Sequence, residues 1–221
     1  YADVPKGGTL AVIGLGPIGD MACRIALERG AGKVIGIDLV PERLARVRAR
    51  GAEVLDVTEH DDIGEAVREM TSGRGTDAVI DAVGLEAHGN IAGKLVQSAA
   101  GLLPDKLAEK AIAKAGVDRL SALQQAIDIV RRGGTISLIG VYGGMADPLP
   151  MLTLFDKQIQ LRMGQANVKR WAPDILPLLS DEDVLGVDEF ATHHLPLAQA
   201  TEAYEMFQKK ADGAVKVVLR P

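Results

Sequence analysis

The chain has 221 residues, of which 47% are hydrophobic and 25% charged, the balance of a globular protein with a sizeable core. Its net charge of −5 disfavours nucleic acids and anionic membranes as partners, and no apolar run reaches the roughly 18 residues of a membrane span. A single cysteine, Cys23, excludes an internal disulfide and a multi-cysteine metal site, so a cytoplasmic location is the simplest expectation.

Short apolar runs alternate with segments of helical periodicity along most of the chain. Only 3% of the residues are aromatic, so the runs consist mainly of Val, Ile, Leu and Ala, as in strands buried between helices. The predicted strands span residues 9–13, 33–37, 53–55, 78–83, 135–141 and 159–163. Helices are predicted to begin at Pro17 and to span 41–50, 63–70, 106–115 and 120–132. This alternation predicts an α/β fold with a Rossmann-type, doubly wound parallel sheet.

The alternation stops near Gln165. Helices over 171–179 and 198–209 and a strand over 215–219 are predicted beyond it. We therefore expect residues 1–164 to form one domain and residues 165–221 a C-terminal α+β tail that packs with another domain. Because Tyr1 is not a start methionine and lies close to the first predicted strand, we also expect the chain to be part of a longer protein.

Three glycines lie where the first strand turns into the first helix, in Gly14-Leu15-Gly16-Pro17-Ile18-Gly19. In this pattern the first glycine permits a tight turn, the second lets a pyrophosphate approach the backbone, and the third lets helix and strand pack closely. The free N–H groups and the dipole of a helix start attract phosphate. The motif therefore predicts a dinucleotide-binding domain over residues 1–164.

Asp38 closes the second predicted strand, 19 residues after Gly19. A carboxylate at this spacing accepts hydrogen bonds from the adenosine ribose and repels the extra phosphate of NADP, so it predicts NAD. The alternative is that Asp38 is exposed to solvent and caps the helix that follows. Arg43 and Arg46 lie nearby; Arg43 is a candidate cofactor contact, although both arginines are expected mainly on a solvated helix face.

Four segments resemble, in order, the coenzyme domain of medium-chain, zinc-dependent alcohol dehydrogenases: GTLAVIGLGPIGDMACRIA, VIGIDLVPERL, GTDAVIDAVG and GGTISLIGVYGG. The tail THHLPLAQATEAYEMFQKKADGAVKVVLRP resembles the C-terminus of that family, which folds back into the catalytic domain. The region between Gly84 and Gly134 is longer than in ordinary alcohol dehydrogenases. It is more similar to the glutathione-independent formaldehyde dehydrogenase branch.

The resemblance implies further cofactor contacts. The coenzyme is expected beside Ala82, Val83 and Gly84, and the nicotinamide ring near Ile139, Gly140 and Val141. The resemblance also implies that Asp56 and Val57 border the adenine pocket and that Lys216 lies near the pyrophosphate. For Lys216, an exposed lysine on an edge strand is an equal alternative.

In the family that the chain resembles, the zinc ligands and the proton relay precede the coenzyme domain, so no catalytic residue and no metal ligand is expected in this chain. Cys23 is expected to be a buried apolar residue. His193 and His194 are adjacent and point in opposite directions if extended, so they cannot easily share a metal. His60 and His88 have no partners at ligand spacing.

We therefore interpret the chain as the NAD-binding portion of a zinc-type alcohol or aldehyde dehydrogenase with a small-molecule substrate. The alternatives are a zinc-free quinone-type reductase of the same superfamily and a stand-alone NAD-binding regulatory module. The resemblance also implies a homodimer or higher homo-oligomer, paired through an edge strand near 157–163 in which Ile159, Leu161 and Met163 alternate with polar residues.

Overall fold

A computed structural model describes residues 1–84, 120–142 and 149–221. The first part holds β1 (Thr9–Ile13), α1 (Pro17–Glu28), β2 (Lys33–Asp38), α2 (Pro41–Arg48), β3 (Glu53–Asp56), α3 (Ile63–Met70) and β4 (Thr76–Asp81). Further along lie α4 (Ser121–Ile129), β5 (Val130–Leu138), α5 (Met151–Lys157), β6 (Gln160–Met163), α6 (Val168–Ile175), β7 (His193–Pro196), α7 (Ala200–Lys209) and β8 (Val217–Arg220). The predicted helix over 106–115 and His88 lie outside the described residues.

The first six strands form one sheet in the order β3-β2-β1-β4-β5-β6. The pairs β1–β2, β2–β3, β4–β5 and β5–β6 run parallel. The order reverses after β1, which is the arrangement of a doubly wound Rossmann sheet. β4 is buried along its whole length and β2 along all but its first residue, as expected for strands covered by helices on both faces. The predicted fold class is confirmed. A separate pair, β7 and β8, completes the tail.

The chain forms two compact units, and the residues of each unit contact mainly one another. One unit comprises residues 1–3 and 62–164, and the other comprises 4–61 and 165–221. The tail therefore groups with β1 to β3, and the division after Gly164 falls where the sequence changes character. The assignment of residues 1–164 to one domain stays a prediction.

The fifth strand was predicted wrongly at both ends. The helix expected to reach residue 132 ends at Ile129, because the chain enters β5 at Val130. Thr76 pairs with Val130 and Ala78 with Thr135, so residues 131–134 bulge out of the ladder. The Arg131 guanidinium lies on the outside of this bulge, 2.6 Å from the Asp77 carboxylate. β5 then ends at Leu138, three residues earlier than expected.

The chain before β6 also differs from the prediction. Lys157 ends α5, a helix that was not predicted, and Gln158 has the left-handed φ of 56° that stops it. The amide of Ile159 donates to the Leu154 carbonyl, so the edge strand begins only at Gln160. Strand β7 was also not predicted.

Cys23 lies in the core, with 1% of its surface exposed. Burial, followed by the nearby Asp20 charge, raises the pKa of its thiol to about 12. Cys23 therefore acts as a small apolar side chain, as predicted. Within the described ranges, no helix combines the length and hydropathy needed to cross a bilayer.

Candidate functional site

The glycine turn has the geometry that the motif predicts. Gly14 has φ +85°, a left-handed conformation that favours glycine, and its amide donates to the Ile37 carbonyl at 2.8 Å. A Cβ on Gly19 would overlap the Gly14 carbonyl oxygen and lie 2.9 Å from its carbon. The turn and the close packing of helix on strand therefore each require glycine at one position.

Gly16 differs from the other two glycines because space is open around it. It is the N-cap of α1, and no side chain in the described residues caps this helix. A Cβ added to Gly16 would meet only the Arg43 Nη1 atom, at 3.7 Å. Pro17 follows at the first helical position and is half-buried, while Ile18 is 57% exposed. The twelve-residue helix thus begins without a side-chain cap and with room beside Gly16, as a phosphate contact with its amides would require.

Asp38 lies at the end of β2 and is 8% exposed. One carboxylate oxygen accepts the Leu15 amide at 2.6 Å, and the other accepts the amides of Leu39 and Val40 at 2.7 and 3.0 Å. The carboxylate therefore stabilises the glycine turn through the Leu15 amide. It also stabilises the start of the loop that leads into α2. Few of its roughly four lone-pair sites remain for a ribose, so its ribose contact stays a prediction.

Arg43 and Arg46 of α2 do not lie on a solvated face, and that expectation was wrong. Arg43 is 12% exposed at its side chain, and its Nη1 lies 3.9 Å from the Asp38 carboxylate. Arg46 donates to the buried Asp20 carboxylate at 2.6 Å. Both guanidinium groups are drawn inward because each has an acidic partner outside α2. Arg43 consequently lies beside Gly16 and Asp38, where a cofactor contact was expected.

Asp56 and Val57 follow β3, next to Asp38. Asp56 pairs with Asp38 in the strand register, and the Val57 amide donates to the Asp38 carbonyl at 3.0 Å. Val57 is 38% exposed. Hydrogen bonds from the hydroxyl and amide of Thr58 hold the pKa of the Asp56 carboxyl below its ordinary value. The adenine pocket at these residues stays a prediction.

Lys216 is exposed and lies just before β8. It lines a groove of about 220 Å³ together with Pro17, Ala203, Tyr204, Phe207, Val215, Val217 and Leu219. Its backbone is fixed, because its carbonyl accepts the Thr192 amide at 2.9 Å and its own amide donates to the Thr192 hydroxyl at 3.2 Å. Lys216 therefore shares a groove with the first residue of α1, and its contact with a pyrophosphate stays a prediction.

In the other unit, the loops after β4 and β5 lie in direct backbone contact. A Cβ on Gly84, whose φ is +61°, would lie 2.5 Å from the Val141 nitrogen. A Cβ on Gly140 would lie 2.5 Å from the Gly84 Cα. Ala82 and Val83 are half-buried, whereas Ile139 is 38% and Val141 78% exposed. The structure thus brings together the two segments that the resemblance places beside the coenzyme, and their contact with it stays a prediction.

Asp81 and Tyr142 hold these loops, and neither was predicted from the sequence. Asp81 is fully buried, and its carboxylate accepts the amides of Val83 and Gly84 and the Tyr142 hydroxyl. A carboxylate at the end of an apolar strand, as Asp38 and Asp81 both are, was the available signal. No local sequence pattern indicates the role of Tyr142, because its partner Asp81 lies 61 residues away.

The described histidines are dispersed. His193 and His194 begin β7 and point apart, His193 toward Asp212 at 3.1 Å and His194 toward Arg220 at 3.4 Å, as the extended backbone predicts. Among residues 1–84, 120–142 and 149–221, no three His, Cys, Asp or Glu side chains cluster as metal ligands would.

Comparisons with known proteins point to one family. The family described as "Zinc-binding dehydrogenase" matches residues 17–103. The "Uncharacterized zinc-type alcohol dehydrogenase-like protein AdhB" of Bacillus subtilis (strain 168) is 35% identical over 100% of this chain and 54% of its own length. The "Glutathione-independent formaldehyde dehydrogenase" of the same organism is 31% identical over 64% of this chain and 29% of its own length.

A solved structure of an alcohol dehydrogenase is also similar to this chain. The "Alcohol dehydrogenase TADH from Thermus sp. ATN1" superposes with a TM-score of 0.79 at 30% identity, over 100% of this chain and 53% of that one. The chain thus spans about half the length of the curated relatives it matches.

Proposed function

The chain belongs to the zinc-type alcohol dehydrogenase family, whose coenzyme-binding domain it spans, and on this premise we propose that it binds NAD and orients the nicotinamide for hydride transfer to or from an alcohol carbon. The observation that carries the proposal is the turn at Gly14–Gly19, where an uncapped helix start meets open space beside Gly16. The amides at the start of α1 bind the pyrophosphate, with Lys216 supplying positive charge. Asp38 and Arg43 contact the adenosine ribose, and Asp56 and Val57 the adenine.

At the other end of the cofactor we propose contacts with Ala82, Val83 and Gly84 and with the backbone of residues 139–141. NAD held at these residues would supply or accept the hydride, and a zinc ion held outside this chain would supply a Lewis acid for the substrate oxygen. The zinc ligands and the pocket for a small alcohol or aldehyde belong, on this proposal, to a part of the protein outside this chain. The similarity to zinc-type and other alcohol dehydrogenases favours this reading over a quinone-type reductase or a regulatory module. A cytoplasmic location is part of the proposal.

The preference for NAD over NADP depends on the balance between Asp38 and Arg43. Repulsion between the Asp38 carboxylate and the extra phosphate should favour NAD by about 1–3 kcal/mol, or roughly 5- to 150-fold in affinity. Arg43 lies 3.9 Å from that carboxylate and offsets part of the repulsion. We therefore expect Arg43→Ala to weaken NADP binding more than NAD binding, which widens the preference several-fold. Calorimetric titration of both cofactors measures this.

Arg48→Ala is the matched control, because Arg48 lies on the same helix and is exposed. It should leave the ratio of the two affinities unchanged. Equal affinities of the unaltered chain for both cofactors, or a preference for NADP, would contradict the role of Asp38.

We further propose that the chain forms a homodimer through the sheet edge at β6. β6 is the last strand of the sheet, and an edge strand has backbone groups free to pair with a second copy. Helix α5 precedes this strand in the chain, and its residues Leu152 and Phe155 are 80% and 83% exposed. Phe155→Glu should raise the dimer dissociation constant at least about tenfold, because a charge enters an apolar contact. Sedimentation equilibrium measures it.

Val168→Glu, at a 71% exposed position on α6, is the control for added charge. A monomeric wild-type chain at micromolar concentration would refute the dimer. An unchanged dimer in the folded Phe155→Glu chain would refute this interface.

A further inference from the structure

Asp81 connects two loops at the carboxyl end of β4. One oxygen of its carboxylate accepts the amides of Val83 and Gly84 at 2.9 and 3.1 Å. Its backbone carbonyl accepts the amides of Ile139 and Gly140 at 2.9 and 2.8 Å. One fully buried residue therefore sets the backbone path on both sides of the contact between Gly84 and Gly140.

Tyr142 completes this arrangement. Its hydroxyl donates to the second oxygen of the Asp81 carboxylate, and its side chain is half-buried. Burial, reinforced by the bond to Asp81, raises the pKa of Tyr142 above its ordinary value. The phenol consequently stays protonated at neutral pH and remains a donor to the buried carboxylate. Hydrogen bonds to a charged group are stronger than those between neutral groups.

The two loops cannot shift independently. There is no room for even a methyl group between Gly84 and the backbone of Gly140 and Val141. A rotation of the Asp81 carboxylate would move the amides of Val83 and Gly84, and that movement would be transmitted to residues 139–141 through the backbone contact. The bond from Tyr142 opposes that rotation.

We infer that Tyr142 is a positioning residue for the nicotinamide half of the cofactor: by holding the Asp81 carboxylate, it pre-forms the backbone surface of residues 82–84 and 139–141 on which that half binds. This inference rests on the proposed NAD function. A surface that is pre-formed costs less ordering on binding, so its loss lowers affinity without the loss of any direct contact. The adenosine half, which binds at Gly14–Gly19 and Asp38, does not depend on Tyr142.

The test is Tyr142→Phe in the full chain, with NAD and ADP-ribose as the two probes. The change deletes one hydroxyl and leaves both amide donors on Asp81. We expect the affinity for NAD to fall about tenfold, as for one lost charge-assisted hydrogen bond, while that for ADP-ribose changes less than about twofold. Hydrogen exchange at the amides of Ile139 and Gly140 should accelerate about tenfold, because their acceptor residue is held less firmly. Tyr1→Phe, which removes a phenol hydroxyl at a 50% exposed position, should match the wild type in all three measurements.

The outcomes separate the two hypotheses. If the wild type binds both ligands and Tyr142→Phe keeps the wild-type affinity for NAD, the positioning role is refuted. The same holds if Tyr142→Phe lowers both affinities equally while its exchange rates stay those of the wild type. If the wild type binds neither ligand, the proposed function itself fails. Thermal unfolding of the variant verifies that it is folded before any of these results is read.

Discussion

Gly19→Ala should lower the free energy of unfolding by about 3 kcal/mol, at the upper end of overpacking substitutions, and abolish dinucleotide binding. The added Cβ would overlap the Gly14 carbonyl oxygen and lie 2.9 Å from its carbon. That carbonyl cannot withdraw easily, because the Gly14 amide is bonded to Ile37 at 2.8 Å and Gly14 has a φ of +85°. Urea unfolding followed by circular dichroism measures the loss.

Gly16→Ala is the matched control within the same turn. Its Cβ would meet no protein atom closer than 3.7 Å, and its φ of −64° suits alanine. The Gly16→Ala chain should therefore lose no more than about 1 kcal/mol, the cost of alanine in place of glycine at an N-cap. If Gly19→Ala is no less stable than Gly16→Ala, the close approach of α1 to β1 is less rigid than the geometry requires.

Asp20→Ala should destabilise the chain by about 3–5 kcal/mol, because it removes the negative member of a buried charge cluster. Asp20 is fully buried and accepts Arg24 at 2.5 Å and Arg46 at 2.6 Å. Both guanidinium groups also lie 5.1 Å from the centre of the Phe190 ring. Without the carboxylate, two cations are left close together, and one of them, Arg24, is almost fully buried.

The cluster also holds the tail to the helices of its own unit. Arg24 donates to the Leu185 and Gly186 carbonyls at 2.8 and 2.9 Å, and Arg46 to the Phe190 carbonyl at 2.9 Å. Loss of Asp20 should therefore loosen residues 185–190, and their amides should exchange faster with solvent. Glu28→Ala, at an exposed position on the same helix, is the control and should cost less than about 0.5 kcal/mol. Equal unfolding energies for the two variants would show that the cluster does not stabilise the chain.

Local patterns were enough to predict the sheet and the glycine turn. Strands β1, β2 and β4 are apolar runs buried along almost their whole length, so composition alone identified them. The roles of Gly14 and Gly19 follow from a strand that turns directly into a helix, and both glycines occupy the conformations that the motif requires.

Features that depend on distant partners were missed. The solvated face predicted for Arg43 and Arg46 was wrong because Asp20 lies 26 residues before Arg46 and Asp38 belongs to another element. Helix α5 was missed because its apolar residues Leu152 and Phe155 are exposed and do not follow the pattern of a buried face. The bulge at residues 131–134 depends on pairing between β4 and β5, which no local pattern encodes.

The central claim is that a dinucleotide binds at the open space beside Gly16, and calorimetric titration of NAD into wild type and Gly16→Ala tests it most directly. We predict one site per chain in the wild type. In Gly16→Ala, which should remain folded, the added methyl group occupies the approach of the pyrophosphate and binding should be at least about 100-fold weaker. Absence of binding in the wild type, or undiminished binding in the folded Gly16→Ala chain, would contradict the claim.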